Sequence, residues 1–293
     1  MLAWWRLVET PEPDAWQVFL SSLSSELAAL HENPPDDVLE LAGGRTVDVA
    51  EIFAVLVEQL TTPVRVGPRA VRSDRGSAAQ LAASWRHNVF RQVHAVVVLR
   101  MAGLLVEARP NARTCLEHAI ALRRLALAAD DGQLGPLMEE IAYQAQQRQL
   151  DELKHLDELD QGGGGVNRHL VTAARNQLMA NALPHDKSRP QTRTVKAVFE
   201  GVPHGLNLYN VYKRLSESTH AGLGSAIPYL APAHRSGGLL SAEPDLEYWA
   251  EYAALLSWSC WAADDAMLRF LEDGSDLADR QAALLAKIGL APG

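Results

Sequence analysis

The chain has 293 residues, 47% hydrophobic and 22% charged, an ordinary globular composition long enough for one large or two modest domains. Its two cysteines, Cys115 and Cys260, form no Cys-x-x-Cys pair, which excludes a disulfide framework and a thiolate zinc site and leads us to expect a reducing cytoplasm. A net charge of −9, from 36 acids against 27 bases, argues on its face against a polyanionic partner.

Helical periodicity dominates in chain order, and no alternating run is long enough to predict a sheet. Met1 to Val8 lacks the apolar run of about 7 to 15 residues that a signal peptide needs. Pro13 and Asp14 open an amphipathic helix through Trp16, Leu20 and Leu27 that ends near Asn33. Val38 to Val49 has room for a small hairpin around Gly43-Gly44, and Asp48 N-caps a second helix stopped by Pro63. Residues 1–64 therefore read as an acidic helical head, and 65–76, with Gly67, Pro68 and Gly76, as a linker.

The body, 77–293, is expected to be all-α, with seven or eight helices in a bundle-like arrangement. Ser77 is expected to cap a long helix to Ala108 that buries Leu81, Trp85, Val89, Val96, Leu99 and Leu104. Pro110 then starts a helix to Asp130 that buries Cys115, Leu116, Ile120, Leu122 and Leu125. A third runs from Pro136 to Asp160 and stops at the four glycines 162–165, the clearest hinge in the chain. Helices near 166–183 and 206–220 follow, with a loop around His185 to Pro190 between them. Pro244 opens the last long helix, and 277–288 closes the chain. The longest uncharged stretch inside these helices, Tyr252 to Ala263, is shorter than the roughly 20 residues that cross a bilayer, so no membrane span is expected.

Counted by segment, the charge alternates. Residues 1–64 carry 11 acids and 2 bases, 65–124 carry 3 and 11, 125–164 carry 9 and 2, 165–239 carry 3 and 9, and 240–293 carry 10 and 3. The two basic stretches either join into one positive surface open to RNA or are each neutralised by an acidic neighbour.

No phosphate-binding glycine loop and no serine-hydrolase elbow occurs, and His185-Asp186 lies in an expected loop without further ligands. Two Glu-x-x-His pairs, Glu152 with His155 and Glu217 with His220, have the spacing of a di-iron carboxylate bundle. The helix near 166–183 supplies no acid to complete the set, however, and no cofactor is expected. Arginine followed four to six residues later by histidine is the spacing of HEPN-type helical ribonucleases. There a guanidinium grips the phosphate and an imidazole exchanges the proton. Arg113 with His118, Arg148 with His155 and Arg214 with His220 all fit, against about two such pairs by chance. The last has the most suggestive surroundings, with Tyr209, Tyr212 and Ser216 on the side of His220. The bland accounts are a Glu117 ion pair for Arg113, a solvated helix face for Arg148 and a helix-end histidine for His220.

The segment from Asn88 to Leu125, through Leu104 to Glu117, resembles a family of uncharacterised bacterial helical proteins in which a small-residue turn leads into an Arg-x-x-x-Glu helix. Tyr212-Lys-Arg-Leu-Ser216 and His220 are similar to that family's Tyr-x-x-Leu-Ser-x-x-x-His signature. The resemblance covers about half the chain. It implies a helical fold and directs attention to Arg113, Glu117, Tyr212, Ser216 and His220, without supplying a reaction. The first expectation is thus an interaction or regulatory protein that forms a homodimer, with RNA or a protein as partner. The alternatives are a metal-independent HEPN-like nuclease in defence or a toxin system, using Arg214 and His220, and a di-iron enzyme using Glu152, His155, Glu217 and His220.

Overall fold

The structure, a computed structural model, describes residues 38–41, 45–48, 71–104, 106–161, 167–184, 194–203, 205–217 and 249–287. The expected head helices at 13–33 and 48–63, the glycines 162–165, the loop at 185–190, His220 and the helix start at Pro244 lie outside them. In the head, β1 (Val38–Leu41) pairs antiparallel with β2 (Arg45–Asp48), the small hairpin expected there. The body is all-α. Among the described residues its helices are α1 (Gly76–Met101), α2 (Arg109–Asp130), α3 (Leu134–Gln161), α4 (Arg168–Ala180), α5 (Val195–Glu200), α6 (Gly205–Glu217), α7 (Trp249–Leu268) and α8 (Ser275–Lys287). Among the described residues no helix is long and apolar enough to cross a membrane.

The chain divides into two compact units, one of Met1–Ala119 with Val211–Gly293, the other of Ile120–Asn210. In the first unit α7 is the central helix. Tyr252, Leu255, Leu256, Cys260, Ala262, Ala263, Ala266 and Met267 are all buried, so it is enclosed on most of its circumference. The face of α1 that packs on it is made of small residues, Ala78, Ala79, Ala82, Val89, Val93, Val96 and Val97. Leu81, Trp85 and Leu99, expected at the centre of that face, are half-buried at its margins. Small side chains let the two helix backbones approach closely, and the larger ones then cover the seam.

α1 stops at Met101 instead of running to Ala108. Gly103 takes φ +75°, the Gly103 amide donates to Arg100 O at 2.8 Å and the Leu104 amide donates to Leu99 O at 2.8 Å. This is a Schellman cap, which a glycine in the left-handed region closes at little cost. Leu104 is carried out of the core by it and is 42% exposed. The cores expected for α2 hold, since Cys115, Leu116, Ile120, Leu122 and Leu125 are fully buried.

Much of what was read as linker is fixed to the body. Val71 bridges Leu271, the Arg72 amide donates to Phe270 O at 3.1 Å, and the side chains of Arg72 and Arg75 donate to the carbonyls of Leu271 and Arg269 at 3.3 and 2.6 Å. Two guanidinium groups thereby satisfy carbonyls just past the end of α7, where positive charge is favoured. Deeper in the same unit, Arg86 Nε of α1 donates to Asp264 Oδ1 of α7 at 2.6 Å, with Asp264 only 1% exposed, and Arg86 also lies over the Phe90 ring at 4.6 Å. Burial pushes the Asp264 carboxyl up, and Arg86 and Arg280 pull it back down.

In the second unit α3 and α4 form an antiparallel hairpin. Gln146 fixes its register by donating to Leu178 O and Asn181 O, at 3.2 and 2.9 Å, and accepting from the Leu183 amide at 2.8 Å. Asn167 caps α4 through the Leu170 amide, and Thr194 caps α5 through the Ala197 amide. Arg124 is buried, donates to Ala197 O at 3.2 Å and feels the charge of buried Glu140. At Gly205 a Cβ would fall 1.8 Å from Phe199 O, so α6 can begin there only with glycine.

The buried Arg86–Asp264 pair makes a sharp prediction. Asp264→Ala or Arg86→Ala should each lower the unfolding free energy by about 3–5 kcal/mol, because each strands a buried charge, while Arg86→Met with Asp264→Leu should recover most of the loss. Urea denaturation of the three variants measures this, and a double variant as unstable as the two single losses added together would contradict it.

Candidate functional site

Arg113 and Glu117 are one turn apart on α2, and Tyr212 and Ser216 are one turn apart on α6. The first unit brings the two pairs together. Arg113 Nη2 and Nε donate to Tyr212 Oη at 2.8 and 3.2 Å, and the guanidinium carbon lies 5.0 Å from the centre of the tyrosine ring. Arg113 Nη2 also reaches Glu117 Oε1 at 3.4 Å. With Arg113 filling the acceptor positions of the phenol, the Tyr212 hydroxyl is left to donate to Glu117. Ser216 Oγ turns back to Tyr212 O at 2.9 Å. Burial and Glu117 raise the Tyr212 phenol above its ordinary value, while Ser216 and Arg113 pull it down.

Arg113 is thus engaged as a fork across two helices. Its cation is neutralised by Glu117 and its planar face is covered by the Tyr212 ring. The arrangement fastens α6 to α2. The expected ion pair with Glu117 is present, and the contact with Tyr212, 99 residues away, is what spacing along one helix could not reveal.

The other candidates are placed as follows. His118 Nδ1 lies 2.8 Å from Thr114 O, and a carbonyl only accepts, so this nitrogen carries the proton and Nε2 accepts from Asn88 Nδ2 at 3.2 Å. Asn88 Oδ1 accepts in turn from Gln92 Nε2 at 3.1 Å, and the Trp85 ring stands edge-on to the imidazole. Both imidazole nitrogens are held in this polar chain between α1 and α2. Tyr209, in the second unit, packs edge-on against Phe199 at 5.6 Å. Arg214 is exposed in the last turn of α6, as is Glu217. Arg148 and Glu152 are exposed on α3, and exposed His155 lies 3.9 Å from Glu158. Di-iron ligands project inward from their helices, whereas Glu152 and His155 project outward. Among the described residues no three His, Cys, Asp or Glu side chains gather to hold a metal.

Sequence reasoning missed the buried polar centres. Asp264 was hidden at the end of an apolar helix, where Asp264-Asp265 interrupts a run of alanines and large apolar residues. An acid in so apolar a stretch was the available signal. Close by, Cys115 is fully buried and hydrogen-bonded to Ser259, and burial pushes its thiol up to about 12. Cys260 is raised as well, first by burial, so both thiols are poor nucleophiles.

Tyr212→Phe removes the hydroxyl and keeps the ring. It should cost about 1–2 kcal/mol, a fall of a few degrees in Tm. In a spectrophotometric titration, the difference between wild type and this variant should show a phenol ionising above pH 10.0. Because the folded state holds this proton more tightly, the stabilisation is complete below that pH and is lost as pH rises through the raised value. A midpoint at or below 10.0 would contradict the site as described. Compared with protein-family models, with curated proteins and with solved structures, the chain finds no match.

Proposed function

We infer that the chain is a non-catalytic interaction or regulatory protein of the cytoplasm, related to the bacterial helical family that its Arg-x-x-x-Glu and Tyr-x-x-Leu-Ser segments resemble. The observation that carries this reading is the engagement of the arginines in its basic stretches. Arg72 and Arg75 donate to carbonyls beyond α7, Arg86 to Asp264, Arg113 to Tyr212 and Glu117, and Arg124 to Ala197 O. In the second unit Arg175 Nη1 of the other basic stretch meets Asp157 Oδ2 of the acidic one at 3.0 Å. Arg86 with Asp264 and Arg175 with Asp157 each fasten a basic segment to an acidic one, and guanidinium groups held in this way are poorly placed to track a phosphate backbone. Among the described residues, large apolar side chains are exposed mainly on the second unit, at Leu156, Leu170, Met179, Leu183, Val195 and Leu206, a pattern that suits association with another protein.

The test is an incubation of purified protein, Arg214→Ala and His220→Ala with total RNA. The reading predicts intact RNA with all three. RNA cleavage by the wild type that His220→Ala abolishes would overturn it in favour of a HEPN-like nuclease.

A further inference from the structure

The second unit buries an acid and an arginine side by side with no ion pair between them. α2 ends at Asp130 and α3 starts at Leu134. Between them Gly132 takes φ +69° and the Gln133 amide donates to Ala128 O at 2.8 Å, a cap that turns the chain back at once. Arg124 on α2 and Glu140 on α3 are equally far along the chain from Gly132, so they stand at the same height in the helix pair. Both are turned inward, Glu140 with 1% of its surface exposed and Arg124 with 9%, and the glutamate's charge reaches the guanidinium.

Their hydrogen bonds nevertheless go elsewhere. Arg124 Nη1 donates to Ala197 O of α5 at 3.2 Å, and Gly201 lies against the Nε edge, where a Cβ would fall 2.8 Å from Nε. Glu140 Oε1 accepts from Gln144 Nε2 at 2.7 Å. Glu140 Oε2 is buried and has no hydrogen-bond partner among the described residues, and Arg124 Nη2 bonds to none of them. Arg86 and Asp264, by contrast, meet directly at 2.6 Å. The bond to Ala197 O and the backbone of Gly201 hold the Arg124 guanidinium back from a contact of that kind.

A buried carboxylate oxygen needs a donor, and a buried guanidinium edge needs an acceptor. Whatever mediates between the two must do both. A cation would face the arginine, an anion would face the glutamate, and an apolar group would satisfy neither. A neutral molecule that donates and accepts meets both, and groups so well covered suit the smallest one. We propose that a single buried water joins Glu140 Oε2 to the Arg124 guanidinium, donating to the carboxylate and accepting from Nη2. The water completes a polar chain from Gln144 through Glu140 and Arg124 to the Ala197 carbonyl, and so ties α3, α2 and α5 together. This is independent of the functional reading above.

A crystal structure of the wild type, at a resolution that shows ordered water, tests it. One water should lie about 3 Å from both Glu140 Oε2 and an Arg124 guanidinium nitrogen. Glu140→Gln keeps polar atoms at both positions and should retain that water, whereas Glu140→Met, of similar length and without them, should lose it. A direct contact between Arg124 and Glu140 in the wild type would overturn the proposal, as would density there that is absent or larger than one water, or a water that persists in Glu140→Met. The wild-type structure decides by itself if the methionine variant does not fold.

Discussion

An arginine placed between packed helices must find its acceptors inside the protein, and much of this structure is arranged around that requirement. Arg86 meets Asp264 at 2.6 Å in the seam between α1 and α7, the pair on which the first unit closes. Neither residue belongs there alone. The small-residue face of α1 brings the backbones close enough for the bond to be short, and the bond compensates a carboxylate that burial would otherwise drive to its neutral form. The same solution appears in the second unit, where Arg124 lies buried with Glu140 and holds α5 by the Ala197 carbonyl.

From this constraint the candidate site follows. Arg113 is nearer the surface than Arg86 and Arg124, with 28% of its side chain exposed, and it too is met from within, by Tyr212 and Glu117. Arg113, which its spacing to His118 offers as a phosphate grip, is in three dimensions a fastening between α2 and α6, while His118 is held by Thr114 O and Asn88. A guanidinium that is hydrogen-bonded along two edges and covered on its face exchanges those partners for a phosphate only at a cost comparable to what the phosphate returns.

The helices were legible in the sequence because apolar residues recur at helical spacing, and the buried set of α2 was read residue by residue. The end of α1 was not, because the apolar pattern continues past Gly103, whose left-handed conformation closes the helix at Met101, before Leu104 could join the core face. The candidate site was half legible. The i, i+4 pair of Arg113 with Glu117 is a local property of one helix, while the contact with Tyr212 depends on how two segments 99 residues apart meet. Charge blocks posed the right question without answering it, since a block total does not say whether a charge points outward or into a neighbour.

The claim that these arginines face inward is open to direct measurement by modifying the native protein with an arginine-selective dicarbonyl and reading each site by mass spectrometry. Arg75, Arg86, Arg113 and Arg124 should react at least about tenfold more slowly than exposed Arg91, Arg168 and Arg214, and should reach the same rate once the protein is unfolded. Equal rates in the native state would contradict the account, because they would mean that the basic stretches present their guanidinium groups to solvent and to any polyanion in it.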